Sequence, residues 1–313
     1  MPESVSAFAI NASCKEVVTG FGVYLVGTRG VRPGTQRVYS RHVREFLERR
    51  FPLGIVLGRE LSARDLFLYV TEHAARGRVV TTKLAATALR SFIRYLVIRG
   101  DCDPSLIDAV PCIPNWRLSR LPRVLSEQQA ATVMANLNRA TPIGRRDYAI
   151  ILCLVRLGLR AGDVVRLSLD DVDWRSGILR IQGEKSRRAR ILPLLQEVGS
   201  ALVAYVLKGR PTTNERRIFV SHRRGPQKGM PMTGSAIWAV VRRAVRRSGI
   251  DVGRVGAHTL RHTFASQMLH NGVDLKRIAD ILGHCSLDTT FVYTKVDLDR
   301  LAEVAQPWPG VTS

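Results

Sequence analysis

The segment 111–126, PCIPNWRLSRLPRVLS, interrupts a chain that otherwise has helical periodicity. It carries three prolines and three arginines with little apolar pattern, which is typical of a linker. A chain of 313 residues has room for a separate core on each side of it. We therefore predict a loose terminus at 1–12, a helical domain at 13–110, a linker at 111–125, a second domain at 126–296 and a tail at 297–313.

The first domain shows only helical patterns. A helix at 14–25 is followed by one from about Thr35 with an i, i+4, i+7, i+8 apolar stripe. The next helix begins at Ser62 with a capping-box spacing, and a further one spans about 81–99 with Leu84 on its inward face. The sequence predicts an all-α bundle.

The second domain mixes helices with short strands. A helix begins at Ser126, and a long apolar helix follows at about 144–158. The runs 178–182 and 189–192 are typical of two strands joined by GEKSRR, and 217–221 is predicted as a further short strand. We therefore expect a mainly α domain with a small antiparallel β-sheet, an α+β arrangement.

Basic residues outnumber acidic ones, 48 to 26, for a formal net charge of +22. Such a charge is costly in a compact protein unless a polyanion receives it. Nucleic acid is favoured over a membrane surface, because no apolar run approaches the ~20 residues that span a bilayer. The five cysteines form no CxxC pair, and no signal peptide is apparent. We expect reduced thiols and a cytoplasmic, nucleoid-associated protein.

Many of the basic residues recur on helix faces and in the strand connection. Charge on a helix face often does no more than solvate it, but the excess of one sign favours contact with a DNA backbone. The candidate DNA contacts are Arg37, Arg41, Arg44, Lys83, Arg90, Arg94, Arg187, Arg188, Arg242, Arg243 and Arg246.

The segment 258–293 concentrates reactive side chains. His258 and Arg261 are three residues apart and share a helical face, His284 follows a helix stop, and Tyr293 comes nine residues later. Earlier in the chain, Arg160 lies on a tight helix junction where its guanidinium can act as a rigid anion fork. A cation and imidazoles can bind a phosphate group, and a phenol can act as a nucleophile. The alternative is that these are ordinary residues at helix surfaces and helix ends.

The order of five motifs carries a family resemblance. LGLRAGD, a hairpin lysine before a strand ending in Pro-Leu, HTLRHTFA, LGH and TTFVYT together resemble the tyrosine recombinases, or phage-type integrases. The resemblance covers about 125–296. The helical region at about 15–108 is similar in kind to the core-binding domain of that family, a SAM-like DNA-binding bundle.

The resemblance implies roles in binding a scissile phosphate. Arg160 and Arg261 would bind its non-bridging oxygens, and His284 would donate a hydrogen bond to it. Asp163 occupies the place of an acidic residue that supports the first arginine. Two fixed guanidiniums stabilise the charge of a pentavalent phosphorus, so the resemblance implies no metal and no cofactor.

The resemblance also implies roles in covalent chemistry. Tyr293 would be the nucleophile that forms a 3′-phosphotyrosyl bond, and His258 would accept and return its proton. Lys185 would protonate the leaving 5′ oxygen, with Arg187 or Arg188 as the alternative if the hairpin register differs. The phosphotyrosyl bond keeps the energy of the phosphodiester, so rejoining would need no ATP.

The expected partner is double-stranded DNA carrying recombination sites. The resemblance implies a homotetramer on DNA, a monomer or weak oligomer when free, and a role for an accessory directionality factor. Integration, excision and transposition of a mobile element, as well as dimer resolution, are all compatible with the sequence. The alternatives are a topoisomerase of type IB and a non-catalytic basic DNA-binding protein. The tail at 297–313 is expected to dock on a neighbouring protomer, or otherwise on its own domain.

Overall fold

Helices with well-formed caps build most of the molecule in its computed structural model. The structure describes residues 11–76, 79–114, 123–183, 189–253, 255–284 and 289–293. The chain divides into two compact units, 1–117 and 118–313. None of the helices in these described ranges is long and apolar enough to cross a membrane.

In its described residues, the first unit contains four α-helices around an aromatic core. Capping boxes at Ser13 and Ser62 begin the first and third helices, because each serine accepts from the backbone of the third helical residue. Phe21, Phe46 and Phe92 are buried where the helices meet. The helices are α1 (Cys14–Gly27), α2 (Pro33–Arg50), α3 (Ala63–Ala75) and α4 (Val79–Ile98).

Two features of the first unit differ from the prediction. A two-stranded antiparallel sheet, β1 (Asn11–Ser13) and β2 (Ile55–Leu57), accompanies the helices, and β1 takes in two residues predicted to be loose. Strands of three residues are too short to show an alternating pattern. Leu84 is 38% exposed, so its predicted inward position was wrong. Helix α4 is apolar on two adjacent faces, and the face centred on Leu89 is the one that packs inward.

Seven α-helices and a small sheet build the part of the second unit that the structure describes. Helix α6 lies at its centre, with nine buried residues, and packs against α8 and α10. The predicted fold class, mainly α with a small antiparallel sheet, is confirmed. The helices are α5 (Glu127–Ala135), α6 (Pro142–Arg156), α7 (Ala161–Arg166), α8 (Gln196–Lys208), α9 (Gly234–Arg247), α10 (Ala257–His270) and α11 (Leu275–Leu282).

The sheet of the second unit has three antiparallel strands in sequence order. They are β3 (Val172–Asp173), β4 (Ile178–Ile181) and β5 (Arg190–Pro193). The hairpin of β4 and β5 was predicted, whereas β3 was not. The predicted strand at 217–221 was wrong, because this apolar run makes only isolated bridges at Arg217 and Val220. Its three central residues are fully buried, and burial alone explains their apolar character.

Candidate active site

Three arginines from separate segments meet at the end of α11. The carbonyl oxygens of residues 281, 282 and 283 accept hydrogen bonds from Arg190 Nη1 at 2.6 Å, Arg261 Nη2 at 2.6 Å and Arg160 Nη2 at 3.0 Å, respectively. The last carbonyls of a helix lack partners within it and carry partial negative charge, so they attract cations. The helix end therefore holds these three guanidiniums, the arginine cluster, in one place.

Arg261 is the most deeply placed of the three, with 3% of its surface exposed. Its Nη1 donates to the carbonyl of Gly158 at 2.5 Å, in the turn where α6 ends. Gly158 has φ +58°, which lets the chain reverse there into α7. Burial, and then the neighbouring charge of Arg160, lower the pKa of Arg261 to about 9. This guanidinium joins two helix ends and is still charged at neutral pH.

Asp163 supplies a carboxylate to the cluster. It is 4% exposed and accepts from Arg190 Nη2 at 2.8 Å, from Arg166 Nη2 at 3.1 Å and from the backbone N–H of Arg160 at 3.2 Å. It therefore contacts Arg160 through the main chain and pairs its charge with Arg190. A single described carboxylate among these guanidiniums leaves the site positive, and an anion such as phosphate matches that charge.

Tyr293 lies beside the cluster in a short 3₁₀ turn, Phe291–Tyr293. It is 2% exposed, and its hydroxyl is hydrogen-bonded to His262 Nδ1 at 3.0 Å. Its ring stacks on His284 with centroids 6.4 Å apart. Burial raises the pKa of the Tyr293 phenol, and the charges of Arg261 and Arg160 lower it. The phenol is thus protonated at neutral pH and lies in the field of the arginines.

The two histidines that contact Tyr293, His262 and His284, are neutral at pH 7. Burial, and then the charge of Arg261, lower the pKa of His284 to about 3, and burial lowers that of His262 to about 4. His284 Nδ1 is hydrogen-bonded to Thr290 Oγ1 at 2.8 Å, which orients its ring. His258 lies one turn before His262 on α10 and is exposed, with ring centroids 6.4 Å apart.

Of the predicted site residues, the structure brings Arg160, Asp163, Arg261, His284 and Tyr293 together, with His258 at the edge. Sequence reasoning missed two further members. Arg190 was not singled out among the basic residues around the hairpin, and His262 was not considered. The signal for His262 was its position four residues after His258, on the same helical face.

Several other predicted residues lie outside the described part of the chain. These are Lys185, Arg187, Arg188 and the tail at 297–313, so their roles stay predictions. Two of the candidate DNA contacts bond to groups outside their own helix: Arg90 donates to the carbonyls of residues 110 and 111, and Arg243 donates to Asp147 at 2.8 Å. The remaining candidates are exposed on their helices: Arg37, Arg41, Arg44, Lys83, Arg94, Arg242 and Arg246.

Known proteins resemble this chain along most of its length. The putative integrase/recombinase y4rA of Sinorhizobium fredii is 39% identical over 299 residues, covering 96% of this chain and 72% of that protein. The tyrosine recombinase XerD of Proteus mirabilis is 35% identical over 251 residues, covering 77% of this chain and 76% of that protein.

Solved structures share the fold. The crystal structure of a XerA recombinase is 29% identical, with a TM-score of 0.51, and covers 94% of this chain and 99% of its own. A lambda integrase dimer bound to a COC′ core site is 16% identical, with a TM-score of 0.70 and coverage of 96% and 99%. The model of the phage integrase family matches residues 123–300. This chain therefore belongs to the phage integrase family and is a tyrosine recombinase.

Proposed function

We propose that this protein is a site-specific DNA recombinase in which Tyr293 forms a 3′-phosphotyrosyl bond with DNA. The observation that carries the proposal is the position of the Tyr293 phenol beside Arg160, Arg261 and His284, which come from separate parts of the second unit. A nucleophile, two fixed cations and a hydrogen-bonding imidazole are the groups that phosphoryl transfer to a phenol requires.

The proposed reaction exchanges one ester bond for another. Tyr293 Oη attacks phosphorus and forms a P–O bond, the P–O5′ bond breaks, and Lys185 gives a proton to the 5′ oxygen. Arg160 and Arg261 bind the non-bridging oxygens, where charge grows most in the transition state. A 5′-hydroxyl from a second duplex then attacks the phosphotyrosyl bond and returns the phenol. No bond energy is lost, so the cycle consumes no nucleotide.

Proton transfer from Tyr293 requires a base, because an ordinary phenol has a pKa of about 10. We assign that role to His258, which is exposed where DNA can approach. His262, at 3.0 Å from the phenol, holds it in the buried form. Since Tyr293 is 2% exposed in this form, DNA binding has to release the phenol from His262 before the attack. Asp163 holds the backbone of Arg160 in place.

Double-stranded DNA is the proposed substrate. The net charge of +22 supports a polyanionic partner. Structures that share the fold include XerH bound to difH substrate and a lambda integrase tetramer bound to a Holliday junction. We propose that this chain also acts as a homotetramer on DNA, is a monomer or weak oligomer when free, and moves a mobile element with the help of an accessory factor.

The decisive experiment is a suicide substrate, a nicked half-site that traps the covalent intermediate. We expect a protein–DNA adduct on a denaturing gel, and Tyr293→Phe should abolish it while leaving DNA binding unchanged. Tyr205→Phe is the matched control, because Tyr205 is also buried and also bonded to a histidine, His222, at 3.3 Å. An adduct that persists in Tyr293→Phe would refute the assignment of the nucleophile.

A further inference from the structure

Two histidines in the first unit have no role in the proposed reaction. His42 on α2 and His73 on α3 are 2% and 6% exposed, with ring centroids 5.5 Å apart. Both ring nitrogens of His42 and Nε2 of His73 are buried and have no hydrogen-bond partner among the described residues. Buried polar atoms almost always have partners, so such a pair requires an explanation.

Glu45 adds a carboxylate to the pair. It lies three residues after His42 on α2, and so on the same face of the helix. Its Oε2 is 3.8 Å from His73 Nε2. One ligand atom from each of the three residues lies within 4.8 Å of the other two. Two adjacent helices thus direct two imidazoles and one carboxylate at a common point.

The neighbours of Glu45 occupy one of its carboxylate oxygens and leave the other directed at the two imidazoles. Arg49 Nη2 and Arg76 Nη1 bond to its Oε1, at 2.7 Å and 3.4 Å. Its Oε2 faces His73 and lies 3.5 Å from the hydroxyl of Tyr69. That hydroxyl donates a shorter hydrogen bond, of 2.9 Å, to the backbone carbonyl of residue 42. The arginines therefore orient the carboxylate, and its Oε2 is the oxygen that can coordinate a bound ion.

The donor set selects among ligands. Imidazole nitrogen with carboxylate oxygen suits zinc and its neighbours among the divalent transition metals. Bonds of about 2.0–2.2 Å place tetrahedral donors about 3.3–3.6 Å apart. Donor atoms that lie within 4.8 Å of one another therefore need to close by at most about 1.5 Å.

We propose that His42, Glu45 and His73 bind one zinc ion that joins α2 to α3. The fourth position of the tetrahedron is open to water. Zinc here has a structural role: it satisfies the buried nitrogens and holds two helices of the first unit together. The arginine cluster and Tyr293 belong to the second unit, so a test of the zinc site does not depend on whether the proposed reaction is correct.

The test uses the full chain, freed of metal with a chelator. Titration with zinc should show one equivalent bound per chain and a rise in the melting temperature. Cobalt(II) should give the d–d absorption of a tetrahedral site without a thiolate charge-transfer band, since no cysteine belongs to the proposed set. A thiolate band, or no binding at all, would overturn the proposal.

Single substitutions identify the ligands. We expect His42→Ala and His73→Ala to weaken zinc binding at least about 100-fold, and the conservative Glu45→Gln to weaken it about tenfold and alter the cobalt spectrum. His270→Ala removes an exposed histidine from the second unit and should change neither. Circular dichroism checks that each variant is folded. If the histidine variants do not fold, the zinc affinity and cobalt spectrum of Glu45→Gln test the site. Unchanged zinc affinity and an unchanged cobalt spectrum in folded Glu45→Gln would refute the site.

Discussion

Replacing Asp163 by Asn removes one charge from the arginine cluster and keeps the shape of the side chain. The carboxylate is 4% exposed and lies 2.8 Å from Arg190, whose own side chain is 8% exposed. The amide of asparagine can accept one of these hydrogen bonds, but it cannot balance the charge of Arg190. The variant therefore leaves the buried guanidinium of Arg190 without its carboxylate partner, close to the positive charges of Arg160 and Arg261.

Loss of one partner from a buried ion pair costs about 3–5 kcal/mol of unfolding free energy. With a urea slope of about 3 kcal/mol per molar for a unit of this size, the unfolding midpoint should fall by about 1–1.7 M. Tryptophan fluorescence can follow this transition, because Trp174 and Trp238 lie in the second unit. Asp173→Asn is the matched control, since Asp173 pairs with Arg180 at 3.3 Å on the surface. Its midpoint should not move measurably.

The excess charge in Asp163→Asn also predicts a response to anions. Phosphate should raise the urea midpoint of the variant more than that of the unchanged protein, because an anion can replace the lost carboxylate. Sodium chloride at the same ionic strength serves as the control for general screening. Equal midpoints for Asp163→Asn and Asp173→Asn would show that the helix carbonyls, and not the carboxylate, hold the cluster in place.

Three further predictions concern the same unit. Gly158→Ala should lower the unfolding free energy by about 1–3 kcal/mol in urea denaturation, because φ is +58° and a Cβ would meet the ring of Phe264. Stability should decrease as the pH falls from 6.5 towards 4, because unfolding raises the pKa of His262 from about 4 and that of His284 from about 3, so the unfolded chain binds more protons. Urea midpoints at pH 7.5 and 5 measure this loss, and His262→Asn should reduce it. Thr290→Val removes the hydroxyl that orients His284, so it should slow adduct formation with no loss of DNA binding, measured by gel assays.

Helix starts were predictable because their causes are local. Ser62 caps α3 with the capping box that its spacing predicted, and Ser126 caps α5 where a helix start was predicted. Leu84 and the run 217–221 were mispredicted for the opposite reason. Which of two apolar faces packs inward, and whether a buried segment finds a strand partner, depend on residues far away in sequence.

The site shows the same division. Arg261 and Tyr293 could be predicted because each is part of a recognisable motif, whereas Arg190 could not be distinguished from the other cations near its hairpin. It reaches the cluster because β5 pairs Arg190 with Ile181 at the end of the ladder, and because Gly283 has no side chain. A Cβ on Gly283 would lie 2.8 Å from Arg190 Cδ. Glycine at this position thus has two functions. Its φ of +61° ends α11, which the sequence indicated, and its small size admits the third guanidinium, which only the packed chain reveals.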